Sequence, residues 1–538
     1  MNLTTDAWIP IVWADGRPGT VSLCGVFERG HEIRDLAVRP HERIALMRLL
    51  ICIAQAALDG PNDHDDWETC RPKIAPAALD YLRRWHAAFG LFGGGQRFLQ
   101  VGNLKKPAKE PNGDDDEGSP ISKLDLALAT GNNTTLFDNA GGAERTFDDG
   151  QVALALLAFQ CFSPCGTIGV ALWSGNPTLG WKSYPNVKSG HSEHGPCVSA
   201  NMLHCYVRGH NLLESLWSNL ITRDQAVRFG GQDAWGRPHW ESMPSSPKDR
   251  AAVQNATMSY LGRLVPLSRA VGLADDRRSI ILANGLEYPA YPEWREPAAT
   301  IVIRTSKEGP TRAVLRASID KGTWRELHAL TVIGLDKNTN GGPVALANLS
   351  NDCDFDLWVG GLVAAGNGKL VDTTQSVFHV PAAMLTEASQ MTYERGVKYS
   401  GQGESRLRKA ISIYRMAMES SERDFEGISR RLAKLKGTEK DRLRHLSAAA
   451  CTNFWTDVEL AVPHLVEIAE NPGKLGLHSE WHKTDWGKAV WSAIRAAYEH
   501  ACPHETPRQI RAYALGLKAL FAEPAAKDVA ETNEEAET

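Results

Sequence analysis

The chain has 538 residues, more than one hydrophobic core usually serves, so a large domain and at least one smaller one are expected. With 43% hydrophobic and 23% charged residues and 16 tryptophans, its composition is that of a globular protein and excludes disordered and fibrous classes. A formal net charge of -5 gives the chain as a whole no attraction for phosphate, so any nucleic-acid contact must be local.

The first element expected is a short strand pair, residues 8–13 and 19–23, joined by a turn at Asp15 and Gly16 that favours positive φ. From Pro40, the residues Ile44, Met47, Leu50, Ile51, Ala54 and Leu58 recur at three- and four-residue steps and predict a helix with a buried face. This apolar run contains Arg48 and Gln55 and is too short to span a bilayer. A second helix is expected over 76–89, with Pro76 in the first turn. Residues 105–119 carry prolines, glycines and a run of acids and read as a surface loop. Residues 131–150 follow as a second polar loop, around an isolated Leu136-Phe137 pair.

An apolar helix over 151–162 should stop at Ser163-Pro164-Cys165-Gly166. Residues 173–200 read as loop and 211–220 as helix. The β-branched runs 279–282 and 300–304 predict strands among turns. Beyond about 380, Gly and Pro become sparse. Apolar stripes such as Leu407, Ile411, Tyr414, Met418 and Trp486, Val490, Ile494, Tyr498 then predict about four antiparallel helices in a bundle. The expected organisation is α+β: a large mixed domain over 1–380, a helical bundle over 381–523 and an acidic disordered tail over 524–538.

Cys24, Cys52, Cys70, Cys161, Cys165, Cys197, Cys205, Cys353, Cys451 and Cys502 form no CxxC pair, which fits reduced thiols. With no signal-peptide pattern at the N-terminus, a soluble cytoplasmic location is expected. No Walker loop, GxSxG elbow or HExxH pair occurs. The rival enzyme reading would use His191, His194, Cys197, His204 and Cys205 as metal ligands, although their spacing matches no standard zinc pattern. Paired acids Asp148-Asp149 and Asp275-Asp276 read either as general acid/base groups or as solvated turn residues. No catalytic constellation, metal or cofactor is assigned.

Four stretches in order, NLTTDAWIPIVWADG, HEIRDLAVRP, GNNTTLFDN and RGHNLLESLWSNL, resemble the large subunit of the type I-E CRISPR Cascade surveillance complex, the CasA/Cse family. That resemblance implies a mixed N-terminal domain and a four-helix bundle. It also implies a non-catalytic protein that works with other Cascade subunits, the 5′ handle of a guide RNA, a double-stranded DNA target and a helicase-nuclease recruited in trans. By the same resemblance Asn132, Asn133 and Phe137 lie on the guide-handle loop, where Phe137 either stacks on an unpaired base or anchors the loop to the core. Ser163, Pro164, Cys165 and Gly166 fall where the family has a glycine loop facing the minor groove beside the target, or simply terminate a helix. Arg277 and Arg278 fall near the family's minor-groove lysine, or pair with Asp275 and Asp276.

The stretch GGLVAAGNGK resembles the family's strand-separating hairpin, with Gly366, Asn367, Gly368 and Lys369 at the wedge, and reads otherwise as a surface turn. Other members carry glutamine near this tip; this chain has none there, so the resemblance leaves that work to Asn367 or Lys369. Residues 391–445 hold fourteen Lys/Arg against eight Asp/Glu, a local excess in an acidic chain. Arg406, Arg408, Lys409, Arg415, Arg430, Arg431 and Lys434 either grip DNA backbone or form a solvated helix face.

Overall fold

Ile9–Trp13 pairs antiparallel with Pro18–Val21 on one side and Ile33–Leu36 on the other. The turn between the first two strands uses Gly16 at φ +85°, a conformation that costs a residue without Cβ little. The second strand ends at Val21 rather than at residue 23, because the Ser22 side chain accepts a hydrogen bond from the Gly25 amide and starts the helix Leu23–Arg29. The computed structural model describes residues 1–107, 118–128, 146–162, 168–179, 201–232, 234–288, 296–306, 309–334, 339–350, 352–364, 370–422, 424–474 and 480–522.

Two units make up the molecule: Met1–Thr323 with Ala329–Val380, and Trp324–His328 with Pro381–Thr538. At the centre of the first runs the helix Pro40–Leu58, opened by Pro40 and by a Glu42 carboxylate that accepts from the Arg39 amide at 2.9 Å. Its middle is buried on every side, Arg48 included. The next helix spans His64–Arg84, starting twelve residues before the expected 76–89. The Asp63 side chain caps it, and Trp67, Cys70, Ile74, Ala78, Tyr81 and Leu82 give it a buried stripe that outweighs the interior prolines Pro72 and Pro76. The expected end of that helix is a separate 3-10 turn, His86–Phe89.

Phe355–Ala364 is the middle strand of a sheet, flanked antiparallel by Leu370–Val380 and His204–Arg208. Gly360 is required in that middle strand, because a Cβ there would overlap the Trp358 ring. A second hairpin, Arg269–Leu273 with Ser279–Asn284, lies along the helix Asp149–Phe162. No described helix is long and apolar enough to cross a membrane.

The second unit is a four-helix bundle of Glu387–Glu419, Thr438–Leu460, Asp485–Ala501 and Pro507–Phe521, with the shorter helices Phe425–Ala433 and Val462–Glu470 between them. Leu407, Ile411, Tyr414, Trp486, Val490, Ile494 and Tyr498 are buried in it, as their spacing predicts. One part of its core comes from the middle of the chain. Trp324 lies 6.0 Å edge-on to Trp486 and 5.9 Å from Trp455, and its carbonyl accepts from Tyr393 Oη at 2.9 Å.

Candidate nucleic-acid interface

The turn 274–278 joins the strands Arg269–Leu273 and Ser279–Asn284 and carries Arg277 at φ +61°, a left-handed backbone that non-glycine residues seldom adopt. Asp276 builds this turn. Its Oδ1 accepts from the Arg278 and Ser279 amides at 2.8 and 3.0 Å, its Oδ2 accepts from Ser279 Oγ at 2.9 Å, and these bonds hold its pKa below the ordinary aspartate value. Neither acid of the turn forms an ion pair with Arg277. Asp275 pairs with Arg97 at 3.1 Å, while Arg277 reaches Asp149 at 3.1 Å and lies 5.1 Å over the Phe92 ring. The Arg277 side chain is 58% exposed, so a guanidinium whose base is fixed still faces solvent.

Asp149 opens the helix Asp149–Phe162. Near the helix's other end Gln160 Nε2 donates to the Arg269 carbonyl at 2.9 Å, and Gln160 Oε1 accepts from the Arg269 amide at 2.9 Å. Arg277 therefore sits by the start of this helix, and Ser163, Pro164, Cys165 and Gly166 follow its end. Those four residues lie outside the described residues, as do Asn132, Asn133 and Phe137 of the handle loop, Gly366, Asn367, Gly368 and Lys369 of the wedge, and residues 524–538. The two strands that would carry the wedge, Phe355–Ala364 and Leu370–Val380, form an antiparallel hairpin.

Sequence reasoning passed over the glycine run 93–95. Gly93 and Gly95 have φ of +97° and +89°, and the space where a Cβ would stand at all three is empty to 4 Å. Arg97 supports this loop through Gly93 and reaches the first strand's end through the Leu273 carbonyl at 2.9 Å. Three consecutive glycines close to an arginine were the available signal.

In the bundle, Arg408 is bound to Glu404 at 2.5 Å, and the half-buried Arg415 donates to the Ala501 carbonyl at 3.4 Å. Arg406 lies 5.6 Å over Trp491. Lys409, Arg430, Arg431 and Lys434 are exposed, the last three on or next to the short helix Phe425–Ala433.

His204 and Cys205 are adjacent on a buried strand, so their side chains leave opposite faces of the sheet and cannot share a metal ion. Burial lowers the His204 pKa to about 4 and pushes the Cys205 thiol up to about 12. His191, His194 and Cys197 lie outside the described residues, among which no group of three or more His, Cys, Asp or Glu is placed to hold a metal.

Fold and surface together define an α+β protein with a C-terminal helical bundle and cations set on exposed turns and short helices. The chain belongs to the family of CRISPR-associated protein Cse1, whose family model matches residues 2–497. CRISPR-associated protein CasA/Cse1 of Thermus thermophilus is 27% identical over 444 residues, 76% of this chain and 78% of that protein. A crystal structure of Thermus thermophilus CasA is similar with a TM-score of 0.69 at 22% identity, covering 97% of this chain and 98% of that one. Cse1 from Acidimicrobium ferrooxidans gives 0.69 at 19% identity over 99% and 98%. A chain of a CRISPR RNA-guided surveillance complex gives 0.68 at 18% identity over 97% and 99%, which shows the shared fold.

Proposed function

We propose that this protein is the non-catalytic large subunit of a cytoplasmic RNA-guided DNA surveillance complex. It recognises the protospacer-adjacent motif in duplex DNA, promotes local strand opening and R-loop formation, and recruits a helicase-nuclease. The observation on this chain that supports the reading is the arginine-tipped hairpin: Arg277 stands out on a rigid turn, oriented by Asp149 and Phe92. Arginine suits the narrow, electronegative minor groove, and a turn tied down by Asp276 presents it at little entropic cost. Family membership over residues 2–497 supports the rest of the assignment.

In this reading Asn132, Asn133 and Phe137 contact the 5′ handle of the guide RNA, residues 163–166 as well as Arg277 and Arg278 approach the flanking duplex, and residues 366–369 wedge between its strands. Arg430, Arg431 and Lys434, with Arg406, Arg408, Lys409 and Arg415, hold backbone phosphates without reading sequence.

The test is a mobility-shift titration of the complex assembled with the other subunits and a guide RNA, against targets that differ only in the flanking motif. Affinity should depend on the motif, and Arg277→Ala should weaken it. Equal affinity for every motif removes the recognition role.

A further inference from the structure

The end of the bundle carries a face that its own helices leave open. Phe521, the last residue of the helix Pro507–Phe521, stacks on Trp491 with ring centroids 5.6 Å apart and planes inclined by 6°, and it remains 51% exposed. Three cations line this pair and its edge: Arg406 lies 5.6 Å over Trp491, Arg495 5.7 Å over Phe521, and Lys518 4.9 Å over Phe425. Elsewhere in the bundle, carboxylates hold Lys398, Arg408, Arg442, Lys483 and Lys488, whereas rings receive these three. Glu499 lies one turn beyond Arg495 on the same helix.

The chain continues from this face with residues 523–538, EPAAKDVAETNEEAET. Six of the chain's 64 acids and one of its 59 cations lie there, which accounts for the whole formal net charge of -5. We propose that residues 523–538 dock on the Arg406–Trp491–Phe521–Arg495 face and screen it from other polyanions. Sixteen residues tethered at Phe521 reach every one of these cations, and a short tether gives an effective concentration on the order of millimolar, so weak pairing suffices. The docking stands on charge and geometry alone; the screening of DNA rests on the function proposed above.

The experiment compares three full-fold proteins: the complete chain, the chain ending at Ala522, and the complete chain with E523Q, D528N, E531Q, E534Q, E535Q and E537Q. A labelled peptide of residues 523–538 is titrated into each and followed by anisotropy. It should bind the shortened and neutralised chains, bind the complete chain on the order of tenfold more weakly because the face is occupied, and weaken with salt. Binding to the shortened chain should disappear with R406Q, R495Q and K518Q together. Equal peptide binding to all three chains overturns the docking, as does binding that survives those substitutions or self-association of the shortened chain in place of peptide binding. A single-stranded DNA oligomer should bind the shortened chain several-fold more tightly. If the peptide docks and DNA affinity does not change, the screening is overturned while the docking stands.

Discussion

Inside the first unit Arg48 turns every donor inward, whereas at its edge Arg277 keeps most of its side chain in solvent. Arg48 Nε donates to the Leu264 carbonyl at 2.8 Å, Nη2 to the Arg263 carbonyl at 2.7 Å, and Nη1 pairs with the buried Glu296 at 2.6 Å. Burial opposes its charge, yet Glu296 beside it holds the guanidinium pKa above the ordinary value. Arg277 makes one ion pair and one ring contact from a fixed turn. The difference is one of solvent. Where water is excluded an arginine must be matched by the protein itself, and where water remains it is available to a ligand.

The sharpest way to break this comparison is Arg48→Met, which leaves Glu296 buried without its partner. A loss of about 3–5 kcal/mol in urea unfolding is expected, and Arg48→Met with Glu296→Leu should recover most of it. Unchanged stability in the single variant would show that the interior pair is dispensable.

Next in size is an effect of pH. Burial lowers His41, His204 and His239 to about 4, below the roughly 6.5 of an unfolded histidine, so between those values the unfolded chain binds more protons. Their contribution is complete above about pH 6.5 and fades as pH falls toward 4, by about 1–3 kcal/mol for each group. Melting temperatures should fall as pH is lowered over that range, and His41→Phe, which removes one buried titrating ring, should flatten the slope.

At the edge the expected signs reverse. Arg277→Ala should leave unfolding within about 0.5 kcal/mol of the parent and weaken target DNA roughly tenfold in the assembled complex. A variant that loses stability and keeps its affinity would place Arg277 with Arg48. Smallest of all, Arg430→Gln, Arg431→Gln and Lys434→Gln together should weaken all DNA sequences alike and lower the slope of log affinity against log salt by about 0.9 for each phosphate no longer neutralised. A sequence-dependent loss would contradict a backbone role.

Elements governed by local periodicity are legible in the sequence: the helix from Pro40 and the buried stripes through Leu407 and Trp486 follow from spacing alone. Proline misleads where packing overrides it, as in the helix His64–Arg84, whose true start is marked by the Asp63 cap. The strand His204–Arg208 is short and its pairing with Phe355–Ala364 is remote, so no local pattern announces it. Charge partners are the least legible part. Asp275 and Asp276 adjoin Arg277 in sequence, yet a hairpin turns one toward Arg97 and commits the other to backbone amides, while Asp149 arrives from 128 residues away.

The helix Asp149–Phe162 also works as a double-ended clamp. Its fourteen residues at 1.5 Å each span about 20 Å, with the Asp149–Arg277 ion pair at the start and the two Gln160 bonds to Arg269 near the end. Two anchors that far apart resist twisting of the hairpin Arg269–Leu273 with Ser279–Asn284, where a single anchor would serve as a pivot.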